Sequence, residues 1–114
     1  MANISPKEQM YRSVSYKKVE VIQGLLRFYH DFKAQAAEDF TEELVCIYVD
    51  IDKAMKEIKM TDRQGEAIKL YMEGWTEEEI GNRMGGITHQ AVHKLVMKVC
   101  SKVSDYLGGE DNEN

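Results

Sequence analysis

Two capping boxes in succession, Thr61-Asp-Arg-Gln64 and Thr76-Glu-Glu-Glu79, each followed by an apolar segment and then by glycine, restrict the second half of this chain to short helices. In such a box the threonine hydroxyl accepts from the N–H three residues on, and the Gln or Glu oxygen accepts from the threonine N–H. Two donors that a helix start leaves orphaned are thereby satisfied. The first box predicts a helix to about Glu73, with Ala67, Ile68, Leu70 and Tyr71 as its apolar positions and Gly74 as its stop. The second opens a shorter helix on which Ile80 and Met84 share a face, ended by Gly85-Gly86. Thr88 caps a third, long helix whose stripe of Val92, Leu95, Val96, Val99, Val103, Tyr106 and Leu107 runs to Gly108-Gly109.

Upstream, the pattern is helical but less punctuated. Ser5-Pro6-Lys7-Glu8 reads as a helix start, with Ser as N-cap and Pro at the first helical position. Apolar residues from Met10 to Phe32 keep helical spacing except for a polar gap at Ser15 to Lys18, which marks a break between two helices. The second of these should end near Ala37. Asp39 or Thr41 then caps a further helix through Leu44, Val45, Tyr48, Ile51, Met55 and Ile58. Val45-Cys-Ile-Tyr-Val has the composition of a strand, but Glu42-Glu43 before it and Asp52-Lys-Ala-Met-Lys-Glu after it continue the helical pattern without a break. The expected fold is all-α: an N-terminal helical arm or hairpin over residues 1–59, with a possible role in oligomerisation, a three-helix unit over residues 60–107, and a disordered acidic tail over residues 108–114.

A chain of 114 residues with one proline, 43% hydrophobic and 31% charged residues fits a single soluble helical domain. MANISPKEQM lacks the apolar core of a signal peptide and no apolar run approaches membrane-spanning length, so the expected location is the cytoplasm, away from any membrane. Cys46 and Cys100 each lie among apolar neighbours and read as buried, reduced core cysteines. His30, His89 and His93 have no cysteine partners at ligand spacing, so neither a metal site nor any other cofactor is expected. No nucleophile–base pair or phosphate-binding glycine loop stands out, and the chain reads as a non-enzyme.

Two short helices joined by a tight glycine turn, the second with polar residues crowding its first turn, suit a helix that enters the DNA major groove while its partner braces it. Trp75, Ile80, Ile87 and Val92 would form the seam between them, and Gly81 supplies the small residue that must face across it. The first turns of the last helix would expose Thr88, His89, Gln90, His93 and Lys94, all able to hydrogen-bond base edges or phosphates. Lys98, one turn on, completes the expected DNA-binding set. Residues 88–104 carry three lysines and no acid, within a chain of net charge −5. A plainer account of Lys94, Lys98 and Lys102, recurring every four residues, is the solvated face of a helix.

The order Thr-x-x-Gln, Gly-x-Thr-x-Glu-Glu-Ile and Ile-Thr-x-Gln-Ala-Val, over roughly residues 60–105, resembles region four of bacterial sigma factors and small phage-type regulators that use the same module. The resemblance implies base-reading roles for His89, Gln90, His93 and Lys94, and a phosphate contact for Thr76. Two departures stand out: Gly81 where that family usually has alanine, and Gly85-Gly86 where it usually has one glycine. Nothing upstream resembles the sigma region that melts promoters. The expected function is therefore a sequence-specific transcriptional regulator of double-stranded DNA, working as a homodimer because one module buries little surface. Its dimer interface would be the apolar face of residues 19–32 or the last helix through Val99, Val103 and Tyr106. Two alternatives are a protein-binding modulator that mimics region four and engages RNA polymerase or a sigma factor, and the DNA-recognition subunit of a packaging motor.

Overall fold

The structure, a computed structural model, describes Tyr16, residues 18–35 and residues 42–111. Among these the chain is all-helical: α1 (Val19–Gln35), α2 (Glu42–Glu57), α3 (Asp62–Met72), α4 (Glu77–Arg83) and α5 (His89–Asp111). The helix start expected at Ser5-Pro6 and the caps expected at Asp39 or Thr41 lie outside the described residues. The polar gap at Ser15 to Lys18 is followed at once by the start of α1.

Helix α5 is the spine, packing against each of the other four. Val92, Val96, Val99, Cys100 and Val103 on its inner side are fully buried. Removing each such side chain from water contributes about 1.5–3 kcal/mol before conformational entropy is set against it. Around it, Ile22, Leu25 and Leu26 of α1, Ile47, Tyr48, Ile51 and Ala54 of α2, and Ala67 and Ile68 of α3 close a single core. Both faces expected to pair two copies are thus used within one chain: Ile22 and Leu26 are buried, as are Val99 and Val103, and Tyr106 is half-buried against the same cluster.

The first half docks through polar contacts as well. Arg27 Nη1 donates to the carbonyls of Tyr71 (3.1 Å) and Trp75 (2.8 Å), and its guanidinium lies 3.7 Å from the Tyr71 ring centroid. It thereby adds a second donor to the Tyr71 carbonyl, which the Gly74 N–H already serves, and holds the Trp75 carbonyl just beyond the end of α3. Tyr48 donates to the Leu25 carbonyl at 3.0 Å and stacks on Phe32 at 4.3 Å between centroids. That insertion sets the rotation of α2. The helix buries Ile47, Tyr48, Ile51 and Ala54 and leaves Val45 and Val49 exposed, so Val45 is not on the core face expected for it. Cys46 is exposed for the same reason, whereas Cys100 is buried as expected. Five consecutive apolar residues cannot all face inward on a helix, and the aromatic contacts choose which do.

Helix α5 also runs past Gly108-Gly109 to Asp111, into the segment expected to be a disordered tail. Glycine lowers helix propensity by about 1 kcal/mol but keeps the N–H that continues the ladder. No described helix is long and apolar enough to cross a membrane.

Candidate nucleic-acid interface

Both predicted capping boxes form. Thr61 Oγ1 accepts from Gln64 N, and Gln64 Oε1 accepts from Thr61 N, each at 3.1 Å. Thr76 Oγ1 accepts from Glu79 N at 3.1 Å, and Glu79 Oε1 accepts from Thr76 N at 2.9 Å. Thr88 caps α5 by accepting from Ala91 N at 3.1 Å. At the end of α3, Gly74 has φ +102°, and the N–H groups of Gly74 and Trp75 donate to the carbonyls of Tyr71 and Leu70. This paired arrangement ends the helix sharply and reverses the chain into α4.

The turn between α4 and α5 is built on the two consecutive glycines. Gly85 and Gly86 both have positive φ (+91° and +88°), and the Gly86 and Ile87 N–H groups both donate to the Gly81 carbonyl, at 2.9 and 3.1 Å. The chain so folded brings the Ile87 carbonyl oxygen to 2.3 Å from where a Cβ on residue 81 would stand. Gly81 and the doubled glycine are therefore one feature: the longer turn folds back over α4, and only a residue without a Cβ admits it. Ile80 and Val92 are fully buried beside this contact, with Trp75 and Ile87 half-buried at its edges. Arg83 lies over the Trp75 ring at 4.7 Å from its centroid.

All seven sequence-nominated residues, Thr76, Thr88, His89, Gln90, His93, Lys94 and Lys98, are exposed. Those on α5 fall into two rows: Gln90, Lys94 and Lys98 lie on the side away from Val92, Val96 and Val99, whereas His89 and His93 flank the buried stripe, continuing along the helix into Val96 and Cys100. Thr76 stands apart at the start of α4, where three carboxylates already occupy the first turn. Lys102, the third member of the lysine row, is not a solvated cation: its Nζ donates to the Lys59 carbonyl at 2.6 Å and to Gln64 Oε1 at 2.9 Å. It ties α5 to the junction of α2 and α3, and leaves Lys94 and Lys98 as the exposed cations of that row.

One partner of the site is absent from the sequence-derived set. Glu77, in the first turn of α4, places Oε2 2.8 Å from Nδ1 of His93, whose side chain is 49% exposed. The two are sixteen positions apart and no local pattern links them; only the turn between the helices does. Helix α4 carries Glu77, Glu78 and Glu79 in its first turn and Arg83 in its last, and α5 exposes Lys94 and Lys98. Comparison of the chain with protein-family models, curated proteins and solved structures found no match.

Proposed function

We propose that this chain is a sequence-specific DNA-binding regulator of transcription that reads the major groove with the first turns of α5. The observation that carries the proposal is the exposed row of Gln90, Lys94 and Lys98 on α5, opposite the side of the helix that forms the core and flanked by exposed His89 and His93, with the helix held at a set angle by the Gly81 contact. Gln90 has the amide that pairs with adenine, and Lys94 has the cation that pairs with guanine or phosphate. The net charge of −5 around this one basic helix predicts weak non-specific attraction, while the lysine contacts with phosphate make the DNA binding that does occur salt-dependent. Cytoplasmic action as a homodimer on paired half-sites belongs to the same proposal. Its interface lies elsewhere than on the two faces consumed by the core.

Selection from random duplexes tests it. The native chain should enrich one motif, and the double variant Gln90→Ala, Lys94→Ala should lose that enrichment. Equal binding by the double variant, or no motif from the native chain, removes direct readout by α5. The acidic first turn of α4 favours a second reading, a protein-binding mimic of region four that engages RNA polymerase. Polymerase captured by the native chain, with no DNA binding at low salt, would be its signature.

A further inference from the structure

The Glu77–His93 contact has a chemical consequence for what α5 can read, one that rests on the DNA-binding proposal. A carboxylate has no proton to give, so at 2.8 Å the shared hydrogen must sit on Nδ1 of His93. In the neutral ring that leaves Nε2 unprotonated, an acceptor only. Nε2 has no partner among the described residues, and the ring is half exposed beside Gln90 and Lys94. In the major groove the base groups that satisfy an acceptor are the amino groups, N6 of adenine and N4 of cytosine. Guanine and thymine present acceptors there instead.

We infer that Glu77 is a positioning residue that sets the tautomer of His93, so that His93 selects a base carrying a major-groove amino group, adenine or cytosine, over guanine or thymine. The logic is that of a metal-bound or catalytic histidine, whose outward nitrogen is set by the partner of the other. Here it comes from the neighbouring helix. Because Glu77 hangs on α4 and His93 on α5, the selection also depends on the Gly81–Ile87 contact that sets the two helices against each other.

Two measurements on the full chain test this. Nitrogen NMR of the DNA-free protein with labelled histidine should find the proton of neutral His93 on Nδ1, and should find it redistributed towards Nε2 in Glu77→Ala. In selections from random duplexes, His93→Ala identifies the position this residue reads, as the one where preference disappears. There the native chain should favour adenine or cytosine by about tenfold, and Glu77→Ala should spread that preference to guanine and thymine while preserving the rest of the motif. The inference is overturned if the native ring carries its proton on Nε2, or if His93→Ala alters no position. It is equally overturned if Glu77→Ala binds every sequence more tightly with base preference unchanged, since the carboxylate then acts only as a charge near phosphate. Failure of the native chain to select any motif would instead sink the DNA-reading proposal, and this inference with it.

Discussion

Gly81 and Gly65 are both glycines in the described helices, and they should respond to alanine in opposite ways. At Gly81 the added methyl would meet the Ile87 carbonyl oxygen at 2.3 Å, a backbone atom held by its own turn. Gly81→Ala should cost about 1–3 kcal/mol, the range for overfilling a packed contact. At Gly65 a Cβ meets nothing within 4 Å. The residue borders an open cleft of about 450 Å³ lined in part by Met55, Met60 and Met72. Gly65→Ala should therefore stabilise by up to about 1 kcal/mol through helix propensity and a less free unfolded chain. Urea denaturation of the two variants gives both signs, and a stable Gly81→Ala would mean that the turn has room to move. The sequence already marked Gly81 as the small residue of the seam. What it could not reveal is why alanine, small enough elsewhere, is too large here, because that depends on where the longer turn lays the Ile87 carbonyl.

Among the elements, the local signals proved the most legible. Capping boxes at Thr61 and Thr76, the glycine stops at Gly74 and Gly85-Gly86, and the Thr88 cap all act within a few residues, and each forms as its spacing implies. Face assignment was legible on α5, where the valine stripe leaves one choice, and ambiguous on α2, where a run of apolar residues leaves several. The join between the halves was not legible at all. Arg27 reaches the end of α3 and the turn after it through two carbonyls and one ring, and among the described residues it has no charged partner whose spacing would betray it. Arg27→Ala should cost about 1–3 kcal/mol, as expected for a charged donor taken from carbonyls that then lose it. Arg27→Lys should recover little, since an ammonium cannot span both carbonyls and lie flat on Tyr71. Denaturation midpoints of the two variants, with faster amide exchange at the end of α3, would check this.

At the scale of the molecule, burial ties folding to the neutral forms of several groups. Desolvation first, then the hydrogen bond and charge of Asp52, push the Tyr29 hydroxyl up to about 12. Burial pushes the Cys100 thiol up to about 12 and raises Tyr48 as well, with lesser contributions there from Asp31 and Tyr29. In each case the folded value lies above the unfolded one, so the unfolded chain loses its protons first. This contribution to stability is whole below the unfolded values, about 8.5 for cysteine and about 10 for tyrosine, and is lost as pH rises through them towards about 12. Urea midpoints should fall steadily over that window. Tyr29→Phe, which has no proton to lose, should fall less steeply above about pH 10. A parallel decline in both proteins would show that Tyr29 does not titrate with folding.

What the sequence determined by itself is whatever depends on neighbours along the chain: helical elements, the capped starts of α3, α4 and α5 and the glycine stops of α3 and α4, an apolar stripe on α5, and its exposed polar first turn. The tertiary structure decided what depends on groups far apart in sequence. It turned the faces of α1 and α5 towards each other and so removed them as dimer surfaces, took Lys102 out of the lysine row to clamp Gln64, and set Glu77 against His93. Spacing along a helix says which residues share a face. Only packing says what that face meets, because burial and pairing are won or lost between segments, where no short pattern reaches.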